Sequence, residues 1–257
     1  MSGDANTAAG NCIIVAAMLA EFGKTYYPNK FSFLADGDDS VFFYNGPDLD
    51  DVVISNFFKR FGMTMKIEGR PNCIEEVDFC QARPVLVDGV WTMVRDYTKI
   101  FSKIGITAKT HDLNYRLKYL KALLLGELSL GRGVPLIQTY VSRYLSVVDH
   151  LMKQRNIRGV AVEAVNSNYR LSSLVPGDWM SAKTLDISSE TRQSFQKAFG
   201  VSRETQIGLE GEYSKMDFDL AKSQDGGSLV DWEFPWQRPE LIYYGVNTLT
   251  HQMAATS

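Results

Sequence analysis

The chain has 257 residues, 45% of them hydrophobic, and a formal net charge of −3 at neutral pH. That suffices for one large core or two moderate ones, and the near-balance of charge excludes a molecule drawn as a whole to nucleic acid or membrane. Three cysteines with no CxxC pair and three scattered histidines give no basis for a zinc framework, a disulfide scaffold or a histidine triad, so a reducing compartment is the default.

Taken in chain order, Asn6 to Phe22 predicts an Ala-rich helix, apolar on most faces and therefore buried, with Gly23 as its stop. Its longest apolar run, Ile13 to Ala20, is far too short to span a bilayer, and no signal peptide is visible. Phe31 to Ala35 and Ser40 to Tyr44 predict a hairpin around a Gly-Asp turn. Pro47, Asp48, Asp50 and Asp51 open a second helix at its positive end. Ile54, Phe57, Phe58 and Phe61 line one face, and Lys59 and Arg60 precede the stop at Gly62. Met63 to Ile67 predicts a third strand. The order helix, strand, strand, helix, strand is that of a split βαββαβ unit lacking its first strand, so the chain is expected to begin partway through a domain. Two extended pieces follow, Val77 to Ala82 and Val85 to Val94, the latter bent at Asp88-Gly89. From Arg95 the pattern turns helical, through "YRLKYLKALLLGELSL", "PLIQTYVSRYLSVVDHLMKQ" and "SSETRQSFQKAFG". In the last of these, Ser189 with Arg192 makes an imperfect capping box and Gly200 is the stop. The tail from Val201 reads as acidic and irregular.

Charge is unevenly placed. Asp36 to Asp51 holds six acids and no Lys or Arg, whereas Arg95 to Arg158 holds twelve basic residues against four acidic ones. An acidic pocket before a basic segment suits a protein that holds cations in one place and a polyanion in another; two solvated faces would read the same. The acidic part centres on "FLADGDDSVFF", residues 33–43, where Asp36, Asp38 and Asp39 sit between apolar runs. Carboxylates this close repel unless a cation or proton relieves them. A rigid, half-buried hairpin presenting two carboxylates is a good mount for hard divalent ions, although Gly-Asp is also ordinary turn chemistry. Upstream, "SGDANTAAGN" (2–11) places Thr7 and Asn11 four apart on one helix face, where a hydroxyl and an amide could read a sugar hydroxyl or act as helix caps and a satisfied amide.

Together, in this order, Ser-Gly-x4-Thr-x3-Asn and Gly-Asp-Asp resemble motifs B and C of viral RNA-dependent RNA polymerases. "FGMTMKIEGR" (61–70) resembles motif D and "EVDFCQARPV" (76–85) resembles motif E. The wording is most similar to the tombusvirus-like group, whose thumb "GELSLGRGVPLIQTY" and "SFQKAFGVSRETQIGLE" also resemble. The resemblance implies an α+β fold: a partial palm over 1–93, a mainly α-helical thumb over 94–200, and an acidic tail over 201–257. It implies Asp38 as metal ligand and Asp39 as a weaker partner, both catalytic, with Asp36 outside the motif. Ser2 and Gly3 would form a loop beside template and nucleotide, Thr7 and Asn11 would favour ribose, and Phe79, Cys80 and Gln81 would lie near the primer end, where Cys80 also reads as a small buried hydrophobe. Motif D supplies a general acid for departing pyrophosphate. Lys66 and Arg70 both fit the position, and because arginine barely releases its proton Lys66 is preferred.

The implied reaction is attack of a primer hydroxyl on a nucleotide α-phosphate, with Mg2+, or Mn2+ in its place, bound by a two-metal site. The implied partners are RNA template and nascent strand, nucleoside triphosphates and a viral accessory replication protein, at membrane-associated replication complexes in the host cytoplasm. Motif A, with the other aspartate, and the fingers are missing; "DLAKSQD" (219–225) lies in a polar tail and does not replace them. The 257 residues alone are therefore expected not to polymerise RNA. Three rival readings make different predictions about the site. A non-enzymatic RNA-binding module would ignore Asp38 and magnesium. A reverse-transcriptase-like palm has no use for Thr7 and Asn11, and a metal-dependent phosphohydrolase needs further ligands converging on Asp38.

Overall fold

A computed structural model describes residues 7–104, 112–166, 168–216 and 218. The chain divides into two compact units, residues 1–84 and 85–257. The fold class is mixed α and β, with two separate two-stranded sheets among the described residues.

In the first unit, α1 (Thr7–Tyr26) runs three residues past Gly23 instead of stopping there. Gly23 serves packing: a Cβ at this position would lie 2.3 Å from Phe31 Cδ1, so its absence lets the helix reach the first strand. Only Met18, Leu19, Phe22 and Gly23 of α1 are buried, and Ile13 is 69% exposed. The expected burial all round does not hold: the buried residues form one stripe in the second half, where Ala17, Ala20, Glu21, Lys24 and Thr25 stay exposed, and Val15 extends the contact with the core. Gly23→Ala gains helix propensity but drives a methyl into an aromatic ring. We expect a net loss of about 1–2 kcal/mol, read as faster amide exchange along α1 and the adjoining strand.

Strands β1 (Phe31–Asp36) and β2 (Asp39–Tyr44) pair antiparallel from Phe31↔Tyr44 to Asp36↔Asp39. The connecting turn has Gly37 at φ 65 and Asp38 without positive φ, the pattern of a type II′ turn with glycine first. Phe31, Phe33, Ala35, Phe42 and Tyr44 pack inward. They meet α1 and α2 (Asp51–Lys59), which Asp50 caps by accepting the Val52 N–H at 2.7 Å. Phe22 is the hub, with the rings of Tyr26, Phe31, Phe42, Phe57 and Phe58 centred 5.0–5.8 Å away. The expected strand at Met63 to Ile67 does not form; the segment packs Met65 and Ile67 on the core without a ladder.

The second unit begins within β3 (Ala82–Val87), which pairs with β4 (Val90–Arg95) through an Asp88-Gly89 turn with φ 50 and 76, as type I′ requires. Helices α3 (Tyr97–Lys103), α4 (Leu113–Gly131), α5 (Ile137–Gln154), α6 (Val162–Asn166), α7 (Tyr169–Leu174), α8 (Ser189–Phe199) and α9 (Arg203–Tyr213) follow. Helix α4 is central, with Leu117, Leu120 and Leu124 in one buried cluster and Ala122, Leu123 and Leu125 in another. The cap of α8 is Ser188, not Ser189: its hydroxyl accepts the Thr191 N–H at 3.1 Å, while Gly200 closes the helix in the left-handed region. Where the sequence read as irregular, α9 forms because Ser202 caps it through the Thr205 N–H. The buried Gln206 amide then donates to the carbonyls of Arg192 and Val201 at 3.0 and 2.9 Å. Among the described residues no helix is long and apolar enough to cross a membrane.

Candidate active site

Strand pairing sets the geometry of the acidic tip. Inward residues alternate with outward ones along β1, so Asp36 falls on the outward side and faces its cross-strand partner Asp39, with Asp38 in the turn between them. All three are exposed. Like charges directly opposite each other destabilise a sheet. Partial burial, then the carboxylates of Asp38, Glu68, Asp36 and Asp78, raise the pKa of Asp39 above its ordinary value. The hairpin holds its acids in spite of this, because the aromatic core beneath fixes the register. The donors are oxygens and the local charge is in excess, which suits a hard divalent cation. Among the described residues, however, no group of three or more ligating side chains is poised to hold one. Asp38 and Asp39 can therefore supply part of a coordination sphere.

The segment "DFCQA" was expected to be extended. It is instead a tight reversal that follows a short 3-10 turn at Ile74–Glu76. Phe79 N–H donates to the Ala82 carbonyl at 3.0 Å and Ala82 N–H to the Phe79 carbonyl at 3.1 Å. Between them Cys80 and Gln81 both adopt left-handed φ, 54 and 60. Two non-glycine residues in that region store about 1–2 kcal/mol each. The reversal carries the Cys80 thiol to 3.5 Å from Asp36 Oδ2. Burial, then this contact, pushes the Cys80 pKa up to about 11, so the thiol keeps its proton at neutral pH. Gln81 is exposed and Phe79 half-buried.

The two motif D candidates are placed differently. Lys66 is 82% exposed and pairs with Glu68 at 2.7 Å; Glu68 in turn acts on Asp39, so this pair belongs to the tip's electrostatic surroundings. Arg70 is tied down, donating to the Leu49 carbonyl at 2.6 Å and to Asp51 at the start of α2. Thr7 and Asn11 occupy the first turns of α1, and Asn11 is exposed beside Cys12. Cys12 is itself at the tip, where its Sγ accepts the Gly37 N–H at 3.1 Å. Ser2 and Gly3 lie outside the described residues.

The structure thus gathers Asp38, Asp39 and Cys80 at one place, with Asn11 one residue from a contact to it. It adds Cys12, Glu68 and a role for Asp36 that spacing alone did not give. Asp36 was visible within the acidic run; nothing in the sequence signals Cys12. The basic segment is partly used internally. Arg95 pairs with Glu127, Lys121 with Asp149 at 2.7 Å, and Arg143 donates to the Met216 carbonyl at 2.8 Å. Lys99, Lys103, Arg132, Lys153, Arg155 and Arg158 remain exposed.

Fold and site together define a mixed helix-and-sheet protein with an oxygen-donor tip on a rigid hairpin. The chain belongs to the family described as viral RNA dependent RNA polymerase, which it matches over residues 1–221. It is 31% identical over 223 residues to the RNA-directed RNA polymerase of Tomato bushy stunt virus (strain Cherry), covering 86% of this chain and 26% of that protein. The corresponding protein of Cymbidium ringspot virus gives the same identity and coverage. That of Tobacco necrosis virus (strain D) is 28% identical over 234 residues, covering 87% of this chain and 30% of its own length. The chain thus spans between a quarter and a third of these relatives. No solved structure matches it.

Proposed function

We propose that this chain is the part of a viral RNA-directed RNA polymerase that carries motifs B to E and the thumb, and that Asp38 and Asp39 hold Mg2+ (or Mn2+) against the phosphates of an incoming nucleotide. The observation that carries the reading is the acidic tip: a hairpin locked by aromatic packing presents opposed carboxylates that only a cation or a proton relieves. Bound there, the cation supplies Lewis-acid stabilisation of charge developing on phosphoryl oxygens. The chain's own residues do the rest. Asn11 and Thr7 read the ribose 2′-hydroxyl from the start of α1. Lys66, exposed and free to reorient from Glu68, donates the proton to departing pyrophosphate, whereas Arg70 is held at α2. The Phe79-Cys80-Gln81 reversal lies beside the primer end. The first unit corresponds to the palm portion and the helical unit to the thumb, whose exposed cations bind template and nascent strand. An accessory replication protein and cytoplasmic membrane-associated complexes complete the setting.

The second aspartate of a two-metal site and the fingers come from sequence outside these 257 residues. The purified chain is therefore expected to incorporate no labelled nucleotide, while a longer polypeptide containing it does. In that longer protein, Asn11→Ala should lower the preference for ribo- over deoxyribonucleotides about tenfold, the worth of one hydrogen bond. Incorporation by the 257-residue chain that is lost on Asp38→Ala would refute the division of labour. An unchanged sugar preference would refute the role of Asn11.

A further inference from the structure

Two thiols hold the acidic tip, and the reading above gives neither a task there. Cys12, on the second turn of α1, accepts the Gly37 N–H at 3.1 Å and lies 4.0 Å from Asp36 Oδ1. Cys80 reaches the other oxygen, Asp36 Oδ2, at 3.5 Å, with Asp39 also within its reach. Each oxygen of Asp36 therefore faces one sulfur.

Asp36 is a difficulty for a cation site. It is opposed to Asp39 across the strand pair and two residues from Asp38. Left alone, it would add repulsion and offer the cation a competing donor displaced along β1. A Lys or Arg partner would occupy it but would also repel the cation. A protonated thiol takes up the carboxylate's lone pairs without bringing positive charge. A sulfur can also accept a backbone N–H while its own proton points elsewhere, as Cys12 does with Gly37. The peptide it fixes joins Asp36 to Gly37, at the entry to the turn that carries Asp38. The Cys80 contact is held by a turn whose two central residues both occupy left-handed φ. Strain of this kind persists where the surroundings over-determine it and clusters at functional sites.

We propose that Cys12 and Cys80 are positioning residues of the acidic tip, turning Asp36 away from the cation and fixing the Gly37 peptide so that Asp38 and Asp39 alone face it. This rests on the reading that Asp38 and Asp39 hold the divalent ion.

The test titrates Mn2+ into the longer polypeptide that contains this chain and follows paramagnetic broadening of the backbone amides at the tip, with thermal unfolding in parallel. In the natural sequence broadening should centre on Asp38 and Asp39, and Asp38→Asn should remove it. In a Cys12→Ala, Cys80→Gly chain, freed Asp36 becomes a ligand. Asp36→Asn then costs that chain about ten times more in Mn2+ affinity than it costs the natural one. Cys12→Ser, which keeps an acceptor for Gly37, should recover part of the natural behaviour. Cys80→Gly should not lower the unfolding midpoint, because glycine is at ease at φ 54, so a purely structural role for the thiol would not yield the affinity effect. Should Cys12→Ala fail to fold, Cys12→Ser with Cys80→Gly replaces it. Equal costs of Asp36→Asn in both backgrounds overturn the proposal. Broadening that is absent, or unaffected by Asp38→Asn, instead overturns the cation reading on which it stands.

Discussion

Replacing Asp38 by asparagine lowers nucleotide incorporation by about a thousandfold or more in a polymerase that contains this chain. The side chain keeps its size and its place in the turn, so the hairpin should survive; only the charge and one strong donor are lost. Lewis-acid stabilisation of a phosphoryl transition state is worth several kcal/mol, and about 4 kcal/mol corresponds to three decades of rate. Asp39→Asn should cost less, because Asp39 already carries a raised pKa from partial burial and from Asp38 and so contributes a less available carboxylate. Asp186→Asn, the same charge change at an exposed position of the second unit, serves as the reference and should leave incorporation unaltered. Retention of activity within tenfold by Asp38→Asn would remove the acidic tip from the chemistry.

Arg192→Met destabilises the second unit by about 3–5 kcal/mol, through a network that no motif reading anticipates. Arg192 meets Glu210 with two parallel contacts of 3.1 and 2.7 Å, and each side chain is only 13% exposed. Glu210 also accepts the N–H of Leu136 at 3.0 Å, and Leu136 sits at φ 64, where a leucine does not settle unaided. Removing the guanidinium leaves a buried carboxylate without its countercharge, the costly way to break such a pair. Exchanging both partners for apolar residues removes that penalty, so Arg192→Met with Glu210→Leu should be less destabilised than Arg192→Met alone. All four tryptophans lie after residue 84, so urea unfolding followed by tryptophan fluorescence reports on this unit. Additive single-variant losses, or a loss below 1 kcal/mol for Arg192→Met, would show that the pair is dispensable. The network also gives "GRGVPLIQTY" and "SFQKAFGVSRETQIGLE" a physical content. Gln138 accepts the N–H of Gly133 and of Leu185 and donates to the Leu185 carbonyl, all at 2.7–2.8 Å. Gln206 and Glu210 bind Arg192 from α9. These residues tie helices together; nothing in their contacts is catalytic.

Elements that carry their own signal were legible. The hairpin at 31–44 announced itself through aromatic runs around Gly37, α2 through its acidic start, and α4 and α5 through apolar spacing. So was the acidic hairpin tip, since adjacent acids between half-buried aromatic strands stand out from everything around them. What failed depended on a neighbour distant in sequence. Gly23 reads as a helix stop until Phe31 is seen against it. Met63 to Ile67 has a strand's composition, yet it packs Met65 and Ile67 on the core without joining a ladder. Ser188 rather than Ser189 caps α8, a one-residue slip that local propensity does not resolve.

Local propensity and turn chemistry were enough to place the acidic pair on a hairpin, because those signals act over a few residues and survive without context; the polymerase family came from the resemblance of the quoted motifs, taken in order. Folding in three dimensions assigned Asp36 to two thiols, Arg70 to α2, and Arg192 to Glu210. Each of those choices is a contest between partners 19 to 44 residues apart, or within a buried pair, and such contests are settled by distance and burial that no stretch of sequence records.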